Sequence, residues 1–228
     1  MSSVPTPSPA PWEELPLFPL GTVLFPGALL PLQLFELRYL QMIGECERQG
    51  SGFGVVTLTQ GREVHRPGAA QEQFETIGTR VNIERIERPQ PGLVMVWCRG
   101  MEKFRCQTPQ QRSDGLWTGP VQALPPEPAV QVPEDLQHLS THMHEVLSQL
   151  SEQASVVPHW AEAWRLQDCS WLSHRWGELL PLPLQMKYRL FALQEPLLRL
   201  ELIGDMVSGA KPSATSPASQ GQKPPANS

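Results

Sequence analysis

The chain has 228 residues, 40% of them hydrophobic and 18% charged, with a formal net charge of −5. That apolar content supports a packed core and excludes a wholly disordered chain. All 23 acidic residues fall between positions 13 and 205, whereas Lys211 and Lys223 lie in the tail, so the body sets 16 basic residues against 23 acidic ones. This balance disfavours a phosphate-binding surface and with it a nucleic-acid partner.

Residues 1–12 are rich in Pro, Ser and Thr and read as a disordered tail. From Leu15 to Phe35 the run LPLFPLGTVLFPGALLPLQLF carries no charge and only Thr22 and Gln33 as polar side chains. Its length suits a membrane helix, because about 20 apolar residues span the bilayer core. Pro19, Pro26 and Pro31 would each break that helix at about 3 kcal/mol, and no second span could satisfy the freed carbonyls. Glu13 and Glu14, rather than a basic segment, precede the run, which argues against a secretory signal. Buried strands at Thr22–Phe25 and Ala28–Leu34, separated by Pro26-Gly27, are therefore expected.

Glu36 to Gln49 places Leu37, Leu40, Ile43 and Cys46 at helical spacing and ends at Gly50, which predicts a one-sided helix. A strand over Gly54–Thr59 follows, then a polar loop over 60–73. Val81–Ile86 and Leu93–Cys98, joined through Arg88-Pro-Gln-Pro-Gly92, read as a hairpin. Phe104–Cys106 and Trp117–Leu124 are two further strand candidates. Residues 13–124 thus form a first unit, and 125–132 form a Pro-rich connection to a helical unit over 133–207. In that unit Leu136, Leu139, Met143, Val146, Leu147 and Leu150 mark one helical face. Shorter helices begin near Pro158, Ser170, Pro183 and Pro196, and short connections imply an antiparallel bundle. Residues 208–228 form a second disordered tail.

Few residues suggest chemistry. Gly50-Ser-Gly-Phe-Gly54 follows a helix and precedes a strand, the reverse of a phosphate-binding loop, and reads as a helix cap. No Gly-x4-Gly-Lys-Ser/Thr motif occurs, so ATP hydrolysis is not expected. His138 and His142 could share a helical face at i, i+4, but with His144 they lie beside a leucine stripe, no His-Glu-x-x-His order or nearby cysteine pair completes a zinc set, and no metal site or cofactor is expected. Cys169 or Ser170, near Asp168 and His174, has only sequence proximity to recommend it as a nucleophile; Ser170 is better placed as a helix cap, and no catalytic residue is assigned. The four cysteines are scattered, with no export signal before them, which points to reduced thiols and a cytoplasmic location. Trp160, Trp164, Trp171 and Trp176 crowd the helical half. Core packing is the simpler reading, although large aromatics also line grooves that grip extended peptides.

Four stretches carry a resemblance. The opening run with its continuation to Ile43, the segment Phe74-Glu-Thr-Ile-Gly-Thr79 with Val81 and Ile83, and Cys98-Arg-Gly-Met-Glu-Lys-Phe-Arg105 occur in the order seen in the amino-terminal, substrate-binding domain of the ATP-dependent protease Lon. Leu179-Leu-Pro-Leu-Pro-Leu-Gln-Met-Lys187 resembles that domain's closing helical segment, and Lys103 stands where the family usually has arginine. The resemblance implies an α+β fold: a small PUA-like β-barrel with one packed helix, followed by a carboxy-terminal helical bundle. It also implies a bacterial, non-catalytic, stand-alone recognition module, an adaptor or holdase, without the ATPase and peptidase of full-length Lon. The implied partner is an unfolded or exposed apolar polypeptide segment, held between barrel and helices by candidates Phe35, Tyr39, Trp160 and Trp164. An RNA-binding PUA-like protein and a small-molecule binder are the alternative classes.

Overall fold

The computed structural model describes residues 10–61, 72–153 and 165–209, with side chains omitted at 151–153 and 209. The helix expected near Pro158 and nearly all of both tails and of the polar loop lie outside the described residues. Within them are strands β1 (Glu13–Leu20), β2 (Leu29–Leu34), β3 (Phe53–Gln60), β4 (Gln73–Gln90), β5 (Leu93–Cys106), β6 (Gln110–Gln111) and β7 (Trp117–Ala123). The helices are α1 (Leu37–Gln49), α2 (Gln137–Gln153), α3 (Cys169–Leu179), α4 (Leu184–Ala192) and α5 (Pro196–Gly209), with a 3-10 turn at Glu134–Leu136 before α2. None of these helices is long and apolar enough to cross a membrane.

The apolar run folds differently from the expected strand pair. Its first strand is β1, and Thr22–Phe25 is irregular chain, exposed at Thr22 and buried over Val23–Phe25. β1 and β2 do not pair with each other: β1 runs parallel to β3 and antiparallel to β7, while β2 pairs with β5. β1 changes partner partway, facing β7 over Glu13–Leu17 and β3 over Leu17–Leu20. Pro16 and Pro19 therefore each sit where the strand has one paired edge, the place where a missing N–H is tolerated. At 22–25 side chains and turn contacts replace ladder bonds. Thr79 Oγ1 donates to the Leu24 carbonyl at 2.5 Å, and Gly27 N donates to Gly100 O at 2.8 Å.

Phe104–Cys106 is the end of the long β5 rather than a separate strand, and there β5 pairs with β7. This pairing closes a circuit through β5, β4, β3, β1 and β7, the topology of a small barrel. Helix α1 covers one side through Tyr39, Met42, Ile43 and Cys46. Leu37, expected on that stripe, is 68% exposed. A strict spacing of three drifts around a helix, whereas 39, 42, 43, 46 alternates three and four and stays on one face. Gly50 caps α1 in the left-handed conformation (φ 63°), its N–H bonded to Cys46 O.

The helical half has its own core, in which Leu136, Leu139, Met143, Leu147, Leu172, Trp176, Leu200 and Ile203 meet. A smaller cluster of Val23, Phe25 and Phe191 joins the two halves. The otherwise unpaired segment 22–25 thus serves as the apolar bridge between them. All four cysteines are buried and free.

Candidate functional site

The Pro-rich connection crosses between the halves as a strap and carries one acidic side chain, Glu127, inward. Lys103 Nζ donates to Glu127 Oε1 at 2.6 Å, Arg199 Nη1 at 2.9 Å, and Ser170 Oγ to Oε2 at 2.5 Å; Arg199 Nη2 also donates to Oε2. Lys103 comes from β5, Ser170 from α3 and Arg199 from α5, so one carboxylate ties the strap to both halves. The cations are held from behind as well. Lys103 Nζ donates to the Phe191 and Leu193 carbonyls at 3.1 and 2.9 Å, and Arg199 donates to Ser173 Oγ and to Leu193 O.

Arg199 is fully buried, and the Glu127 and Lys103 side chains are 7% and 4% exposed. Burial by itself raises the Glu127 pKa, but the two donors and the charge of Arg199 outweigh it and hold the carboxyl well below the usual carboxylate range. Burial lowers the Lys103 pKa, opposed by Glu127. His174 Nε2 stands 3.4 Å from Glu127 Oε1, outside hydrogen-bond alignment. Its burial depresses the imidazole to about 3, so it is neutral at pH 7.

Outside this cluster lies a cleft of about 700 Å³. The strap forms one wall, α3 another through Trp171, His174 and Arg175, and Pro26-Gly27 with Arg99–Lys103 the floor. Met101, 41% exposed, and half-buried Trp171 supply apolar surface. The volume lies within the range of ligand-holding sites, about 300–1,000 Å³. Asp168, rather than Ser170, caps α3: its side chain accepts from the N–H groups of Ser170 and Trp171. This leaves the Ser170 hydroxyl available to Glu127. The Cys169 thiol is buried, and its sulfur contacts the Gln131 carbonyl.

The aromatic candidates do not converge. Tyr39 is 3% exposed, with its ring centroid 4.2 Å from that of Phe18, so it faces the core and presents no surface to a ligand. Phe35 is exposed at the junction of β2 and α1 and is not among the residues lining the cleft. Trp160 and Trp164 lie outside the described residues. Trp176 is core, with Nε1 donating to Leu139 O at 3.2 Å. His138 is exposed and His142 half-buried, their rings 6.3 Å apart on the outer face of α2.

Sequence reasoning missed the ionic hub. Two signals for it were present: a lone carboxylate among three prolines at 125–128, and an arginine at position 199 beside the apolar stripe of the last helix.

Comparison with known proteins agrees with the fold. The model of the ATP-dependent protease La (Lon) substrate-binding domain matches residues 14–209. A Lon N-terminal domain protein from Xanthomonas campestris superposes with a TM-score of 0.64 at 30% identity, covering 88% of this chain and 99% of its own. The N-terminal domain of a Mycobacterium avium complex Lon protease gives a TM-score of 0.55 over 87% of this chain and 100% of its own; at 15% identity this likeness concerns the fold alone. No curated protein matches the chain significantly. With the family model matching from β1 to the end of α5, the chain belongs to the Lon substrate-binding domain family.

Proposed function

We propose that this protein recognises unfolded or exposed polypeptide segments in the cleft beneath the strap, and that it acts in the cytoplasm as an adaptor or holdase rather than as an enzyme. Family membership supports the choice of ligand class. The observation that carries the proposal is the cleft itself, where proline, Met101 and Trp171 surfaces lie beside a fixed ionic hub. Apolar walls take side chains of varied shape, while a few placed polar groups set orientation. The strap over 125–132 then marks the boundary between the two units. Phe35, Trp160 and Trp164 enter as secondary contacts, and Tyr39 contributes through packing.

Titration of the intact protein with a fluorescently labelled, reduced and unfolded model substrate tests this. Saturable binding with a Kd in the micromolar range, weakened by M101E or W171A, is expected. No binding at hundreds of micromolar would overturn the proposal.

A further inference from the structure

The end of the cleft formed by Pro26, Gly27, Arg99 and Arg175 differs from the rest of the trough. Arg175 is 2% exposed, yet only one of its three guanidinium nitrogens is well occupied: Nη2 donates to the Pro26 carbonyl at 2.7 Å. Nε and Nη1 are buried without a hydrogen-bond partner. The nearest carboxylate, Glu178, approaches Nη2 at 3.3 Å, and its Oε2 lacks an aligned donor. A buried donor left unmade costs about 1–3 kcal/mol, more when charged, so open donors on a guanidinium lining a cleft are unusual. Gly27, in the left-handed region at φ 80°, packs directly on Arg175: a Cβ there would make an ordinary contact 3.6 Å from Nη1.

A second arginine reinforces the first. Arg99 lines the same end and donates from Nε to Glu84, and its charge opposes that of Arg175. Each arginine has one carboxylate near it, Glu84 at Arg99 and Glu178 at Arg175, and it is the donors left open on Arg175 that an added anion would satisfy. α3 runs along the cleft from Asp168 to Arg175, about 10 Å at helical rise. An extended chain of about three residues spans that length.

Resting on the reading of the cleft as a polypeptide site, we infer that its Arg99–Arg175 end takes a carboxylate of the bound segment, with the adjoining residues lying along α3 under the strap. The carboxylate comes from the carboxy terminus of the segment or from an Asp or Glu side chain near it. Nη1 and Nε of Arg175 donate to it, and Arg99 supplies the second positive charge. The segments selected are apolar ones that end in, or carry, an acid.

The test uses the intact protein and three labelled peptides of one apolar sequence: with a free carboxy terminus, with a terminal amide, and with a terminal amide plus one glutamate at the penultimate position. The free acid is expected to bind about tenfold or more tighter than the plain amide, with the advantage shrinking at high salt. Tight binding of the glutamate peptide identifies a side-chain carboxylate as sufficient; weak binding identifies the chain terminus as the source. In R99Q and R175M the ratio of acid to amide affinity is expected to fall towards one. R99Q keeps the test open if R175M does not fold, because Arg99 is on the surface. Equal affinity of acid and amide for the wild-type protein overturns the carboxylate site while the polypeptide reading stands. Absence of binding by all three peptides overturns both.

Discussion

The two halves of the molecule are held together by different forces. In the barrel half, backbone hydrogen bonds run from strand to strand around a closed circuit, and every strand of that circuit is bonded along most of its length. The junction with the helical half instead depends on side chains: the Glu127 hub, the Phe25–Phe191 contact, Arg175 on the Pro26 carbonyl, and Tyr188 Oη accepting from Ile77 N–H at 3.3 Å. A backbone ladder spreads its stability over many residues, and no single side chain controls it. A junction made of a few buried side chains concentrates stability, so a single substitution there can loosen the relation between the halves without melting either. The cleft lies along this junction, and its shape depends on those few contacts.

The sharpest way to break this contrast is E127A, which leaves Lys103 and Arg199 buried without their carboxylate. A loss of about 3–5 kcal/mol is expected in urea unfolding. Hydrogen exchange should show α3 and α5 losing protection before the barrel strands; uniform loss across both halves would contradict the comparison.

Acid should act on the same hub. His174 is held at about 3 in the folded protein against 6.5 when exposed, so unfolding takes up a proton between these values. Its contribution to stability is complete above pH 6.5 and is lost as pH falls towards 3. Glu127, held far below 4.5, adds a loss of the same sign once the pH drops below that value. Between pH 6.5 and 4.5 the expected slope from His174 is up to about 1.4 kcal/mol per pH unit. H174Q should flatten this part of the stability curve measured by urea unfolding.

A smaller effect is expected from G177A on α3. Its Cβ would stand 2.6 Å from Phe25 Cζ, which forces the apolar bridge apart. Thermal unfolding should register a loss of about 1–3 kcal/mol. The smallest change belongs to the barrel side. Trp117 Nε1 donates to Glu72 at 2.6 Å, and Glu72 also receives Arg38. W117F removes the indole donor and should cost about 1–2 kcal/mol, with the helix and strand amides retaining their order of exchange.

Local pattern settled a large part of this protein. Period-two and period-three-to-four spacing marked the strand after Gly50, the hairpin over Val81–Cys98, the strand from Trp117, the helix ending at Gly50, and the helices near Pro133, Ser170, Pro183 and Pro196, because these features depend on neighbours in sequence. The family, too, could be read in short motifs. Non-local competition decided the rest. Thr22–Phe25 has strand-like composition, but its neighbours draw Val23 and Phe25 towards the helices and Leu24 towards the barrel, so no ladder forms. Leu37 lost its place to Tyr39 because the barrel wall selects the helix face. The ionic hub brings Lys103, Glu127, Ser170 and Arg199 together across as many as 96 positions of chain. Nothing in the spacing of these residues signals their meeting. Sequence alone therefore established the kinship and most local elements; only tertiary structure decided which charges meet, since burial turns a scattered set of ions into one joint and shapes the cleft beside it.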